Sequence, residues 1–303
     1  TYEEMKDKGT FRDYDFENIW IIGEKTYPLP VLKSIGTPKI KAEENTTEFA
    51  GGTGTAVNPF KIATKEQLNN VRNYLSSNFV LVNDIEFTKS DFQENGKYYN
   101  DGQYWAPIGT KANPFSGVFD GNGYTISGFK INLLGTQSNY LGLFGYLKNG
   151  KIENLGTTNS EITVDKYNNN FYLGGIVGYL NGGVILNCFN TGHIVVSSNT
   201  NIKAFVTIGG IAGYVNNGYI FGCYNSGYLT SNEKNNSYVL ASGGIAGYVN
   251  TKSEISNCYN TGNIGTGNEN GGIAGYFNVN CSIINCYNTG MISNITEESG
   301  GIV

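Results

Sequence analysis

The chain is 303 residues long, which suffices for one large hydrophobic core or two modest ones, and 39% of its residues are hydrophobic. Its formal net charge of −5 is spread along the sequence without a cluster of Lys or Arg, so we expect no nucleic acid as a partner. No apolar run is long enough to cross a bilayer, so we expect no membrane insertion by this segment.

The composition favours strands over helices. Glycine accounts for 42 residues and tyrosine for 22, whereas charged residues make up only 15%. Glycine at this frequency, without the three-residue period of collagen, indicates many tight turns, and abundant Tyr, Ile, Val and Thr favour strands. The composition therefore predicts an all-β fold with many short strands.

Residues 1–50 differ from everything that follows. Residues 1–36 contain two aromatic and apolar runs, FRDYDF at 11–16 and YPLPVL at 27–32, and we interpret them as the closing segment of a preceding module. Residues 37–50 carry several charges and are predicted to be a linker. Both interpretations make the parent protein a tandem array, in which further modules of the same chain are partners.

The next region, residues 51–135, is predicted to hold an N-terminal cap and the first coils of a repetitive β fold. Thr64 to Gln67 forms a capping-box pattern that opens a helix-like stretch ending near Ser76. The apolar face of this stretch comprises Leu68, Val71, Tyr74 and Leu75. Because the open end of such a fold exposes unpaired strand edges, we predict that this helix covers the first coil.

Internal repeats dominate residues 136–303. The run GGIVGY at 174–179 recurs, and the copies begin at Gly174, Gly209, Gly243, Gly271 and Gly300. Their spacings are 35, 34, 28 and 29 residues, and a second run of the type NCYNTG follows each complete copy. This period, without helical periodicity, predicts a β-solenoid with one coil per repeat and about three strands in each coil. Because the sequence stops inside the last copy, we interpret the array as truncated within a coil.

Equivalent positions in the coils indicate which side chains point inward. An isoleucine column comprises Ile152, Ile185, Ile220, Ile255 and Ile283. Three residues later stands a second column, Leu155, Cys188, Cys223, Cys258 and Cys286. The residue that follows each isoleucine varies in character, so we predict that the two columns form the core. Length differences between coils fall in the polar stretches 165–170, 197–201 and 231–237, which are predicted to loop out at one corner.

These paired runs resemble the GLUG repeats of bacterial cell-surface and secreted proteins. The upstream run WAPIG at 105–109 and the glycine-rich run at 115–123 resemble the module that precedes such repeats, so the resemblance covers about residues 50–303. It implies a right-handed parallel β-helix, an extracellular location at the cell surface or after secretion, and a role in attachment or display. Some similar proteins are the N-terminal arms of zinc metallopeptidases that cleave immunoglobulin A.

The sequence can be checked for the residues that two classes of enzyme require. A zinc metallopeptidase of this kind needs H-E-x-x-H on a helix, and the chain has a single histidine, His193. Polysaccharide lyases and hydrolases also use the parallel β-helix, but they need grouped carboxylates. The acidic residues of the repeats fall at different coil positions, and those upstream are scattered at Asp84, Asp91, Asp101 and Asp120. We therefore expect no catalytic residue, no metal and no cofactor.

The cysteine column has two interpretations. Extracellular chains tolerate disulfides, and neighbouring coils lie close enough to be cross-linked. Side chains in register point the same way, however, which is poor disulfide geometry, so free buried thiols that act as small apolar residues are favoured. Cys281 lies outside the column and is the one cysteine for which unusual chemistry is considered.

A polar corner follows each cysteine. Its asparagines are Asn190, Asn225, Asn260 and Asn288. Stacked asparagine side chains can bond to one another and to backbone amides, so we predict a structural ladder. The next residues, Thr191, Ser226, Thr261 and Thr289, form a hydroxyl row similar to that of ice-binding solenoids, an alternative that the serine and the flanking aromatic residues disfavour.

Aromatic columns are the candidate binding surface. One column comprises Phe189, Tyr224, Tyr259 and Tyr287, which follow the inward cysteines and are therefore predicted to face outward. A second comprises Tyr179, Tyr214, Tyr248 and Tyr276. Exposed rings stack on sugars and anchor protein interfaces. The alternative is that the rings form cross-coil ladders that stabilise the solenoid.

The sequence thus predicts a non-catalytic surface or secreted module for adhesion and structural extension. Its expected partners are glycans or extracellular proteins of the host or environment. The alternatives are a passive stalk or filament segment and an accessory N-terminal arm of a secreted metallopeptidase, and a polysaccharide-degrading β-helix enzyme is less favoured. Selective ligand binding would separate an adhesion module from a passive stalk.

Overall fold

The computed structural model describes residues 20–22, 30–32, 48–134, 139–166, 169–196, 205–231, 239–265, 269–293 and 299–303. The chain divides into two compact units, Thr1–Glu44 and Asn45–Val303. In the first unit, β1 (Trp20–Ile22) pairs antiparallel with β2 (Pro30–Leu32). The predicted closing segment 1–36 and linker 37–50 lie mostly outside the described residues, and both stay predictions.

Residues 48–134 form short strands around one α-helix. The strands are β3 (Phe60–Ile62), β4 (Asn78–Leu81), β5 (Ile85–Glu86), β6 (Val118–Asp120), β7 (Thr125–Ser127) and β8 (Lys130–Leu134). Helix α1 spans Lys65–Asn70, and 3-10 helices span Val71–Asn73, Lys89–Phe92 and Asn100–Gly102. Helical residues are thus confined to short segments in a region that is mostly strand and loop.

From residue 139 the chain repeats a set of strands coil by coil. The first coil contains β9 (Tyr140–Leu141), β10 (Phe144–Lys148), β11 (Lys151–Glu153), β12 (Gly156–Thr158) and β13 (Glu161–Lys166). The second contains β14 (Phe171–Gly174), β15 (Val177–Asn181), β16 (Val184–Leu186), β17 (Phe189–Asn190) and β18 (His193–Val196). The third contains β19 (Val206–Gly209), β20 (Ala212–Asn216), β21 (Tyr219–Phe221), β22 (Tyr224–Asn225) and β23 (Leu229–Ser231). The fourth contains β24 (Val239–Gly243), β25 (Ala246–Asn250), β26 (Glu254–Ser256), β27 (Tyr259–Asn260) and β28 (Ile264–Gly265), and the fifth β29 (Glu269–Gly271), β30 (Ala274–Phe277), β31 (Ser282–Ile284) and β32 (Tyr287–Asn288).

Each strand pairs in parallel with the equivalent strand of the next coil. The resulting sheets have the orders β9-β14-β19-β24-β29, β10-β15-β20-β25-β30, β3-β4-β6-β11-β16-β21-β26-β31, β5-β7-β12-β17-β22-β27-β32 and β8-β13-β18-β23-β28. The third, fourth and fifth sheets run from residues 48–134 into the coils without a break. The predicted all-β parallel solenoid is therefore confirmed, and the upstream region supplies its first strands.

The predicted number of strands per coil was wrong. We expected about three, whereas a complete described coil such as the second contains five short strands. Each coil is divided into five short strands because residues between the strands adopt turn conformations. Asn187 has a φ of 51° between β16 and β17, and Gly222 has a φ of 63° at the equivalent place in the next coil. Such left-handed residues are typical turn positions for Asn and Gly.

The isoleucine column forms the spine of the core. The register pairs Ile152, Ile185, Ile220, Ile255 and Ile283 in succession. The first four are fully buried, and Ile283 in the last described coil is partly buried. Inward apolar residues on all five sheets join them in one continuous core.

The predicted N-terminal helix is present but shorter than expected. Thr64 is its N-cap, and its hydroxyl oxygen accepts a hydrogen bond from the Gln67 amide at 3.3 Å. The Gln67 side chain accepts from the backbone of Ala63 rather than from Thr64. The α-helix ends at Asn70 and one 3-10 turn follows, in a stretch rich in asparagine, which has a low helix propensity. On the apolar face, Leu68 and Val71 are buried in the core.

The first strand edge is covered by the chain itself. The Lys61 amide donates to the Gly51 carbonyl and the Ala50 amide donates to the Lys61 carbonyl, both at 2.8 Å. These bonds occupy the outer edge of β3, the first strand of its sheet. Backbone pairing from residues 50–51 therefore covers the strand edge that we had predicted the helix to cover.

The predicted loop insertions 165–170, 197–201 and 231–237 lie largely outside the described residues. Each insertion follows a strand of the fifth sheet and precedes a strand of the first sheet. The strand pairs are β13 and β14, β18 and β19, and β23 and β24. The insertions are thus all located in one type of connection.

Candidate functional site

The first aromatic column is a stack of parallel rings. Ring centroids of Phe189, Tyr224, Tyr259 and Tyr287 are 4.9, 4.9 and 5.1 Å apart in succession, with interplanar angles of 4°. Their strands pair in register, so each ring lies directly over the next. The first three rings are half-buried, and Tyr287 is 53% exposed.

This geometry changes what the column can offer a ligand. Inside the stack, each ring face is covered by the neighbouring ring, so a sugar cannot lie flat on Tyr224 or Tyr259. A ligand that approaches the column from the side meets the edges of the rings, and each tyrosine ring carries a hydroxyl at its tip. The available contacts are therefore edge-on apolar contact and hydrogen bonds from hydroxyls at the spacing of the coils.

The second aromatic column is longer and is joined by a flanking row. Tyr146, Tyr179, Tyr214, Tyr248 and Tyr276 stack at centroid distances of 4.9, 4.7, 4.8 and 4.5 Å. Tyr140 and Tyr172 stack on each other on the adjacent sheet, and their rings meet the column edge-on at 5.0 to 5.6 Å. Tyr146 continues the column into the first coil, and it was not assigned to the column from the sequence because its segment, LGLFGY at 141–146, departs from the run GGIVGY.

Burial disfavours ionisation of some tyrosines in both columns. It raises the pKa of Tyr248 to about 12, and nearby Tyr214 and Tyr276 add to the rise. Burial likewise raises the pKa of Tyr224, with a further contribution from Tyr259. Tyr224 and Tyr248 therefore present neutral hydroxyls, which donate and accept hydrogen bonds.

The corner asparagines form a buried hydrogen-bonded ladder. The Nδ2 of Asn190 donates to Asn225 Oδ1 at 2.9 Å, and the same bond joins Asn225 to Asn260 and Asn260 to Asn288 at 2.8 Å. Each side chain also bonds to the backbone two residues ahead; in Asn225, Nδ2 donates to the Gly227 carbonyl and Oδ1 accepts from the Gly227 amide. A side chain with these bonds is fully occupied as a structural element.

A second asparagine ladder was missed by the sequence analysis. It comprises Asn181, Asn216, Asn250 and Asn278, linked by side-chain hydrogen bonds of 2.8, 3.3 and 2.7 Å. These residues follow the tyrosines of the second column by two positions, so they lie on the same side of their strands. The recurring pattern Gly-Tyr-x-Asn was visible in the sequence and could have revealed them. The second column is thus bordered by a row of amides.

The cysteine column lies inside the solenoid. Leu155, Cys188, Cys223 and Cys258 are fully buried, Cys286 is partly buried, and all five cysteines of the chain are free thiols. Burial raises the pKa of Cys223, so its thiol stays protonated. No group of His, Cys, Asp and Glu suited to a metal ion occurs in the part of the chain that the structure describes.

The carboxylates considered for catalysis take part in local bonding. Asp84 accepts from the backbone amide of Thr125, Asp120 accepts from the Asn122 amide, and Asp91 forms an ion pair with Lys65. The hydroxyl row is outward, with Ser226, Thr261 and Thr289 exposed and Thr191 half-buried. None of the helices in the described ranges is long and apolar enough to span a membrane.

Comparison with known sequences adds a family motif and two relatives. The GLUG motif matches residues 169–196 and 238–265, which correspond to the second and fourth coils. A protein of Evansella cellulosilytica named "Putative Gly-rich membrane protein" is 45% identical over 126 residues, 41% of this chain and 14% of that protein. "Halomucin" of Haloquadratum walsbyi is 32% identical over 136 residues, 42% of this chain and 1% of that protein. The chain therefore spans only a small part of these relatives.

A solved structure supports the fold. The protein described as a "putative immunoglobulin A1 protease" of Bacteroides ovatus aligns over 84% of each chain with a TM-score of 0.55. Its sequence identity of 22% limits this likeness to the fold. The motif matches and the parallel register of the coils together identify the chain as a β-solenoid that carries GLUG motifs.

Proposed function

We propose that this segment is a non-catalytic module of a bacterial surface or secreted protein, with two linked roles. It extends the parent protein as a solenoid, and it binds glycans or extracellular proteins of the host or environment along its first aromatic column. The partners are recognised by ring edges and hydroxyls rather than by ring faces.

The observation that carries the proposal is the parallel stack of the first column. Stacking fixes the rings of Tyr224 and Tyr259 before any ligand arrives, with centroids 4.9 Å apart. A tyrosine has few rotatable bonds, so ordering its side chain costs little on binding, and here most of that ordering is complete. A preorganised row of this kind favours a ligand that is itself extended and repeats its polar groups.

An extracellular location is supported by the relatives and by the repeats. One relative carries "membrane protein" in its name, and the chain contains GLUG motifs, whose resemblance to the repeats of surface and secreted proteins implies the same location. The absence of catalysis is supported by the scattered carboxylates and by His193, whose ring stacks on Tyr228 at 3.6 Å.

The test is binding of the purified chain to arrays of glycans and extracellular-matrix proteins. Replacing Tyr224 and Tyr259 together by Phe removes the hydroxyls and keeps the stack, as Phe189 does naturally. We expect this double variant to lose selective binding while its thermal unfolding is unchanged. Replacing exposed Tyr219, which lies outside both columns, by Phe is the matched control and should bind normally.

A passive stalk is the second candidate, and the same ring stack favours it. If the rings serve only as cross-coil ladders, the unmodified chain will bind nothing selectively on the arrays, and the double Phe variant will behave like the wild type. That outcome would overturn the adhesion role and leave structural extension.

A further inference from the structure

A partly buried arginine in the N-terminal region lacks an acidic partner. Arg72 forms no ion pair with a carboxylate among the described residues. It lines two cavities, of about 180 and 460 Å³. Its Nε donates to the Asn69 carbonyl at 2.9 Å, and one Nη2 hydrogen donates to the Ala106 carbonyl at 2.8 Å. A guanidinium has five N–H donors, so three are left without an acceptor in the described chain.

The arginine is held in place rather than free to move. Its guanidinium carbon lies 5.2 Å from the ring centroid of Trp105, and the Trp105 indole is itself anchored by donating to the Leu143 carbonyl at 3.2 Å. Because the guanidinium is already held in place, it loses little further conformational entropy when it binds an anion. Burial lowers the pKa of Arg72, but arginine remains charged at neutral pH.

The smaller cavity adds groups that suit a sugar. Asn100, which is exposed, and half-buried Gln103 line it, and no side-chain hydrogen bond joins either amide to another described residue. Each amide offers two donors and one acceptor, which matches the paired hydroxyls of a sugar ring. Pro107, Ile131 and Leu141 provide an apolar wall for the C–H groups of such a ring. The volume of about 180 Å³ is below that of pockets for larger ligands and fits a single ring.

The loop that carries these amides has an unusual backbone. Asn100, Asp101 and Tyr104 have φ values of 45°, 51° and 67°. Asn and Asp tolerate this region, but Tyr rarely adopts it, and such residues concentrate at binding sites. The loop is fixed by hydrogen bonds between Asn132 and the carbonyls of Gln103 and Gly102, so its shape belongs to the fold.

We propose that this cavity binds a single sugar residue that bears a carboxylate, such as a hexuronic acid. The carboxylate pairs with the free N–H groups of Arg72, and the sugar hydroxyls bond to Asn100 and Gln103. One positive charge suits a carboxylate better than a doubly charged phosphate. This site is separate from the tyrosine columns and does not depend on the function proposed above.

The experiment is a titration of the full chain with glucuronate, glucose and acetate, followed by ligand-observed NMR and calorimetry. We expect glucuronate to bind at least about tenfold more tightly than glucose, which lacks the charge, and than acetate, which lacks the hydroxyls; tenfold corresponds to 1.4 kcal/mol. Equal binding of glucose would overturn the role of Arg72, and equal binding of acetate would overturn the sugar. An absence of glucuronate binding would overturn the whole proposal.

Variants locate the site. Gln103→Ala removes an amide without a described partner, so the fold should be retained, and it should weaken glucuronate binding about tenfold. Asn113→Ala, in the wall of the larger cavity, is the matched control and should bind like the wild type. Arg72→Gln should abolish the preference for glucuronate over glucose, and its unfolding curve shows whether the fold has survived. An unchanged affinity in Gln103→Ala would exclude this cavity.

Discussion

The two parts of the second unit bury their interiors in different ways. Residues 48–134 pack aromatic rings, with Phe79 meeting Phe49, Phe60, Phe115 and Phe119 at centroid distances of 5.7 to 6.3 Å. The coils from residue 139 pack mostly aliphatic columns inside, with Phe144 and Phe171 as buried aromatic residues, and stack most of their tyrosines in ladders along two sheets. Irregular packing leaves cavities beside Arg72, whereas repetition leaves continuous rows. Each part therefore offers a different kind of binding surface.

The same contrast predicts a different tolerance to change. In the inner coils a column residue stacks on the equivalent residues of the coils above and below, so one substitution there disturbs two neighbouring coils. In residues 48–134 most contacts are made once. The predictions below run from the largest expected effect to the smallest.

Gly210→Ala should be the most damaging change. A Cβ at Gly210 would lie 2.3 Å from Cγ of the ladder residue Asn225 and 2.3 Å from the Gly244 carbonyl oxygen. We expect a loss of about 4 kcal/mol or more in the free energy of unfolding, measured by urea denaturation. The matched variant in the irregular part is Gly123→Ala, where φ is 79° and no atom lies within 4 Å. It should cost only about 1 to 2 kcal/mol, and equal losses would contradict the comparison.

Asn225→Ala should remove about 3 kcal/mol from the free energy of unfolding. The substitution removes the bonds that Asn225 makes to the Gly227 amide and carbonyl and takes one ladder bond from each of Asn190 and Asn260, and a buried polar group left unsatisfied costs about 1 to 3 kcal/mol. Ser226→Ala, at the exposed neighbouring position, is the control and should be neutral within about 0.5 kcal/mol. A loss below about 1 kcal/mol for Asn225→Ala would show that the ladder is dispensable.

Tyr214→Ala should cost about 2 kcal/mol. The ring stacks on Tyr179 at 4.7 Å and on Tyr248 at 4.8 Å, and each aromatic pair contributes about 0.5 to 1.5 kcal/mol. Tyr214→Phe keeps both stacks and should stay within about 0.5 kcal/mol of the wild type. If Tyr214→Phe loses as much stability as Tyr214→Ala in a thermal melt, the stabilising element is the hydroxyl rather than the ring, and if neither variant loses stability the stack is dispensable.

Asp91→Asn should have the smallest effect and should appear in the pH dependence. Burial alone would raise the pKa of Asp91, but hydrogen bonds from Lys65 and Thr88 lower it overall. A carboxylate whose folded pKa lies below its unfolded value of about 3.9 stabilises the fold above that pH, and this stabilisation is lost as the pH falls. We expect about 1 kcal/mol at pH 7 from this partly exposed pair.

The measurement is the melting temperature between pH 7 and pH 3. The Asp91→Asn curve should be flatter than that of the wild type, and the two should converge at the acid end. Asp101→Asn is the control because Asp101 is exposed and Asn tolerates its left-handed backbone. A flatter curve for the control, or a parallel one for Asp91→Asn, would count against the assignment.

How far the sequence predicted the molecule differs between the two parts. In the coils, the recurrence of Ile185 and Cys188 identified the inward positions, since an invariant apolar column in a repeat has one side to face. The same recurrence located the asparagine corner. In residues 48–134 only the capping pattern at Thr64 and its apolar face were readable, because contacts made once leave no period in the sequence.

The sequence by itself determined the solenoid, its period and its inward columns, because stacking equivalent strands in register follows from repetition alone. Only the tertiary structure decided the division of each coil into five strands and the orientation of the rings of Tyr224 and Tyr259, which turn their edges outward because their faces meet those of adjacent coils. It also decided the cavity that Arg72 and Gln103, which are distant in the sequence, line together. Such meetings depend on the path of irregular loops, for which local pattern carries no information.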